Sequence, residues 1–151
     1  MFINLIVVGS VKEIYYREKI DWYIKKIKAF ANINLIEIPD EPIPQNAKGL
    51  IFERIKETEG RRILEKIKNT DYVVVLCIDG NIAKEHGTWK SIFNKAEKAE
   101  CITFIIGGSL GLSKNVISRA DYKLSFSPMT FPHQLMRVML LEQIYGFICD
   151  R

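Results

Sequence analysis

The chain has 151 residues and a formal net charge of +4, with 48% apolar and 26% charged residues. That is enough chain for one domain with a real core, and too ordinary a composition for a disordered, collagenous or disulfide-stapled protein. No apolar run approaches the roughly 18 residues that cross a bilayer, and two histidines without a ligand cluster argue against a metal site. The modest positive charge permits an anionic partner without requiring one. Cys77, Cys101 and Cys149 lack CxxC spacing and no leader pattern precedes them, so they read as reduced thiols in a cytoplasmic protein, with Cys77 and Cys101 buried.

In chain order, the apolar run Phe2–Val8, closed by Gly9, predicts a buried strand. A helix follows over about 13–30, with Ile14, Ile20, Ile24 and Ile27 recurring at helical spacing. Lys25, Lys26 and Lys28 at its end either complement the helix dipole or touch phosphates. Residues 33–38 read as a second strand, and Pro39, Pro42 and Pro44 as a loop. The helical pattern returns over about 48–68. A β-branched third strand covers 72–78 and ends at Asp79-Gly80. A shorter helix falls within 89–99, a fourth strand at 101–106, a short helix at 113–119, a short fifth strand at 122–126 and a last helix at about 131–148. Strands that are apolar on both faces and alternate with helices predict a single-domain α/β fold, a mostly parallel sheet flanked by helices.

In such sheets ligands gather beyond the carboxyl ends of the strands. Three strand ends carry small or polar residues: Asp79-Gly80, Gly107-Gly108 and 125–130. Glycine there lets a backbone approach a ligand without an intervening Cβ; a plain turn at Gly80 and a positive φ at Gly111 are the alternatives. The spacing GGxxG, on the fourth strand, does not match the dinucleotide fingerprint, and no GK[ST] follows to make a phosphate loop. The last helix is apolar almost all round, so it is buried on most sides or shared with a second copy of the chain. His133 and Arg137 lie four apart on one face of it. They are either a helix cap and a solvated cation, or a pair that faces a substrate.

The segments "IIGGSLGLS", "LSFSPMTFPHQLMRVMLLEQIY" and "INLIVVGSVKEIYYREKIDWYIKKI" resemble the RlmH family of small SPOUT-class RNA methyltransferases, and "IPDE" and "EGRRIL" fit it as well. The similarity runs from the first strand to about Tyr145. It implies a SPOUT-type fold with a C-terminal trefoil knot, a homodimer, and S-adenosyl-L-methionine as methyl donor. It also implies a substrate, N3 of a pseudouridine in helix 69 of 23S rRNA within the 70S ribosome. Cofactor contacts are then expected from Leu76, Gly107, Phe126, Ser127, Pro128, Met129, Thr130 and Phe131. Methylating N3 displaces a proton, so a base or a stabilising cation is needed, and His133 and Arg137 are the catalytic candidates. Lys12, Arg17 and Lys19 are the candidate RNA contacts.

Relatives continue beyond the last helix into a tail with Tyr-His and a basic residue. This sequence ends "YGFICDR", with Gly146 where arginine is common. The alternative this opens is a catalytically weakened ribosome- or RNA-binding protein that retains the cofactor pocket. A nucleotide-binding oxidoreductase is opposed by the glycine spacing.

Overall fold

The computed structural model describes residues 1–150. Its strands are β1 (Phe2–Val8), β2 (Asn32–Ile38), β3 (Tyr72–Ile82), β4 (Ile102–Ile106) and β5 (Tyr122–Ser125). Its helices are α1 (Ile14–Ile27), α2 (Leu50–Leu64), α3 (Glu85–Lys95), α4 (Lys114–Arg119) and α5 (His133–Cys149). All strand pairings are parallel, in the order β2-β1-β4-β3-β5. No helix among the described residues is long and apolar enough to cross a membrane.

The alternation along each strand builds two cores, one on each face of the sheet. Leu5, Val7, Val74, Phe104 and Ile106 pack with Ile20 and Ile27 of α1, Trp89 and Ile92 of α3, and Leu140 and Ile144 of α5. Their neighbours Ile6, Val8, Val73, Val75 and Ile105 pack with Ile63 of α2 and Val116 of α4 on the other side. Both faces are covered, which is why the strands read as continuous apolar runs.

The ends of α1 and α2 fall one to four residues inside the expected spans, and two further boundaries differ for physical reasons. α3 begins at Glu85 rather than near Trp89. Its first turn holds Gly87 and Thr88, and the Thr88 hydroxyl accepts from the Lys84 amide at 2.8 Å, so the apolar period starts a turn late. β3 does not end at Asp79-Gly80 but runs on to Ile82, with a register shift between Leu76 and Asn81 against β5. A Cβ on Gly80 would stand 2.9 Å from main-chain carbons of Lys123 and Leu124. Gly80 therefore admits a neighbouring strand, and the ligand and plain-turn readings of it both fall.

The strand order places the site. β1 pairs with β2 on one side and β4 on the other, so the connections diverge there and a crevice opens beyond the carboxyl ends of β1 and β4.

Candidate active site

A cavity of about 510 Å³ lies beyond the carboxyl ends of β3, β4 and β5. Leu76, Gly107, Phe126, Ser127, Met129, Thr130 and Phe131 all line it. Pro128 does not, although it belongs to the same loop. That loop is shaped by its own serines. The Ser125 hydroxyl lies 3.1 Å from the Ile78 carbonyl and 3.0 Å from that of Ser127, and the Ser127 hydroxyl accepts from the Met129 amide at 3.0 Å. Cys77, Asp79, Leu124 and Met136 also line the cavity. Of these, only Asp79, an acid closing an apolar strand, left a mark in the sequence. Cys77 is half-buried, where full burial was expected; burial pushes its thiol pKa up.

The glycines at the end of β4 make room mainly for the chain itself. A Cβ on Gly107 would lie 3.0 Å from the Gly111 carbonyl carbon and from Leu112 Cδ2. The Gly111 amide donates to the Gly108 carbonyl at 3.0 Å, and Gly111 sits at φ 85°. The two glycines thus fold residues 108–112 back over β4, and Gly107 meets the cavity through its backbone.

A second cavity, of about 370 Å³, opens in the crevice between β1 and β4. The β1 end (Val8, Gly9, Ser10) and the loop after β2 (Asp40–Ile43) border it, with Glu59 of α2. Gly108, Ser109, Leu110 and His133 line both cavities, so the two share a wall. Sequence reasoning singled out "IPDE" and "EGRRIL" without giving them a task. Both segments meet at this cavity: Glu59 Oε2 accepts from the Glu41 amide at 2.9 Å, and Arg62 pairs with the Glu41 carboxylate.

His133 opens α5, half-buried at the shared wall. Burial and the nearby Arg137 charge lower its pKa below the ordinary value, against the opposing pull of Asp40. This setting favours the neutral imidazole. Arg137 is 1% exposed, which removes the solvated-cation reading. Its Nη2 donates to the Val8 and Gly9 carbonyls, each at 2.9 Å, while Nε and Nη1 have no hydrogen-bond partner among the described residues. Arg137 lines neither cavity; it ties α5 to the end of β1, one turn along from His133. Of the three candidate RNA contacts, Lys12 lines the second cavity. Arg17 turns back to donate to the Val11 carbonyl at 2.7 Å, and Lys19 lies over the Trp22 ring. No group of three or more His, Cys, Asp or Glu among the described residues is placed to hold a metal.

The first cavity fits S-adenosylmethionine on its own chemistry. Leu76, Leu124 and Met136 would wall a flat apolar adenine, and backbone amides and carbonyls with the Ser127 and Thr130 hydroxyls would meet its polar edges. The parallel sheet and this cavity accord with a methyltransferase of the SPOUT class, and the chain belongs to that class: the family described as "Predicted SPOUT methyltransferase" matches residues 1–149. S-adenosyl-L-methionine is the methyl donor of that class. Within it, the chain belongs to the ribosomal RNA large subunit methyltransferase H family. It is 46% identical over 146 residues to the methyltransferase H of Halothermothrix orenii, a match covering 96% of this chain and 92% of that one. It is 49% identical to methyltransferase H 1 of Clostridium perfringens over the same shares. A solved structure described as "Structural insights into the 2-OH methylation of C/U34 on tRNA" matches 99% of this chain and 98% of its own, with a TM-score of 0.50 at 14% identity, a likeness of fold alone.

Proposed function

We propose that this protein methylates N3 of a pseudouridine in helix 69 of 23S rRNA, on the assembled 70S ribosome, as a cytoplasmic homodimer whose C-terminal part threads a trefoil knot. The observation that carries the reading is the shared wall. One cavity suits the methyl donor, the other suits a base, and His133 stands between them. Family membership supports the ribosomal substrate. An apolar groove along α1 and α5, lined by Tyr15, Tyr16, Trp22, Leu135 and Val138, supports the dimer; Trp22 is 47% exposed in the single chain.

When bound, S-adenosylmethionine supplies an electrophilic methyl group. Leu76, Gly107 and the 126–131 loop would hold the donor in the cavity that shares its wall with the second one. His133, neutral and within reach of both cavities, takes the proton that N3 releases. Arg137 is a positioning residue: it fixes the His133 turn of α5 to the floor of the second cavity at Val8 and Gly9. Lys12 meets phosphate or a base carbonyl at the rim.

The test is transfer of labelled methyl from S-adenosylmethionine to 70S ribosomes lacking the modification, with the labelled nucleotide mapped. Label at N3 of the helix 69 pseudouridine is expected. Label elsewhere, or none from folded protein that binds the donor, would overturn the reading.

A further inference from the structure

Glu59 has no task in the mechanism above, and its setting is unusual. Its side chain is buried, with 5% of the residue exposed, in the wall of the second cavity. One oxygen, Oε2, accepts from the Glu41 amide. The other, Oε1, stands beside Gly108, where a Cβ would lie 3.3 Å from it, and it is not among the side-chain oxygens shut off from solvent without a partner. A carboxylate with one oxygen committed to the protein keeps acceptor capacity on the other, which the wall of a cavity can offer to a donor on a ligand. The cavity it lines is in the size range of small-molecule sites, and apolar Pro42, Ile43, Ile55 and Leu110 offer surfaces for a flat ring.

The ring of pseudouridine carries two N–H donors, N1–H and N3–H, separated by one carbonyl carbon. N3 receives the methyl, so it must lie along the wall shared with the donor cavity, where His133 stands. Glu59 lines the second cavity alone. An acceptor there meets the other donor edge. Uridine, attached to its sugar through N1, has no second ring N–H to offer.

We propose that the cavity between β1, β4 and α2 is the nucleobase pocket and that Glu59 Oε1 accepts the N1–H of pseudouridine, making Glu59 the residue that selects pseudouridine over uridine. This rests on the function proposed above. The structure explains how the oxygen is aimed. Arg62 pairs with Glu41 and donates to the Pro39 carbonyl at 2.9 Å, which fixes the loop whose amide holds Oε2. Glu59 then has one oxygen committed to the protein and one to the base. Glutamine can accept at one of these positions but presents an NH₂ at the other.

The experiment measures methyl transfer by the full chain and by Glu59→Gln to two substrates: 70S ribosomes with pseudouridine at the target, and ribosomes from cells lacking the synthase, with uridine there. S-adenosylmethionine affinity is measured by calorimetry alongside. A hydrogen bond to a charged group predicts that Glu59→Gln lowers the pseudouridine-to-uridine rate ratio about tenfold to a hundredfold, with donor affinity unchanged. A purely structural role would slow both substrates alike and leave the ratio fixed, which would overturn the assignment. Should the glutamine variant fail to fold, Glu59→Asp, which keeps the charge and withdraws the oxygens by one methylene, is expected to lower the same ratio. An unmodified protein inactive on both ribosomes would instead overturn the proposed function, and this assignment with it.

Discussion

The hydroxyl of Ser113 occupies the place where a side chain on Gly60 would begin. Gly60 lies within α2, and Ser113 is the N-cap of α4, its Oγ accepting from the Val116 amide at 3.4 Å. The two helices meet with no room for a methyl group, and Val116 Cγ2 stands 3.3 Å from the same point. This approach also sets the neighbouring Glu59 against Gly108. The Glu-Gly pair of the sequence is one device: the glycine brings α2 close, and the glutamate uses the closeness.

Gly60→Ala reverses the usual sign of a helix substitution. Alanine in a helix interior is ordinarily worth about 1 kcal/mol over glycine. Here overpacking at a helix cap is expected to cost about 1–3 kcal/mol, read as a lower urea midpoint with unchanged slope.

Arg137→Lys keeps the charge but replaces a fork that reaches two carbonyls with a single ammonium. Losing one of two charge-assisted bonds predicts a destabilisation of about 1.5–3 kcal/mol. Methyl transfer should fall through kcat more than through donor affinity, because His133 loses its fixed relation to Val8 and Gly9. Steady-state kinetics with calorimetric donor binding separates the two.

Gly107→Ala places a Cβ 3.0 Å from the main chain at Gly111, so residues 108–112 must move. Because those residues line the donor cavity, strain of about 1–3 kcal/mol predicts a loss of S-adenosylmethionine affinity of roughly tenfold. Native affinity in this variant would mean that the loop does not wall the donor site.

Glu59 and His133 predict opposite responses to pH. Burial raises the Glu59 pKa above 4.5, opposed by the Glu41 amide and Arg62 and reinforced by the Asp40 and Glu41 carboxylates. The folded state then holds the proton more tightly than the unfolded chain. The stability this contributes is full below pH 4.5 and is lost as pH rises through the folded value. Glu59→Gln is therefore expected to raise Tm at neutral pH, with the gain shrinking in acid, while base selectivity drops. His133 has a lowered pKa, so the unfolded chain takes its proton first as pH falls below 6.5, and stability declines from there down to the folded value. A His133→Gln variant should lack that decline. Thermal melts between pH 4 and 8 test both.

Much of the fold is written in local pattern. The strands could be placed within a residue at most ends because each is a continuous apolar run between turn residues, and a buried strand has no other way to look. The 126–131 loop and the Gly107 backbone were legible as candidate donor contacts because the sequence there resembles a specific family, while apolar spacing alone left them as strand ends with open alternatives. Helix ends were read less well, since polar first turns such as that of α3 carry no apolar period.

Other features depended on partners far along the chain. Nothing near Gly107 says that its missing side chain makes room for Gly111 and Leu112; nothing near Gly80 announces the backbone of Lys123 and Leu124. Arg137 read as solvated or substrate-facing because a basic residue on a helix is usually exposed. Its burial is decided by two carbonyls at Val8 and Gly9, 129 and 128 residues away. Glu59 likewise looked like one more charge on a polar helix face until the loop after β2 and the turn after β4 closed around it. Sequence by itself determined the elements and the sheet's two apolar faces, because these follow from residue type and short spacing, and it determined the family through the resemblance of whole segments. Only the tertiary structure decided which polar groups are stripped of water and which of their atoms still await a partner, because desolvation is a property of everything that packs around a residue.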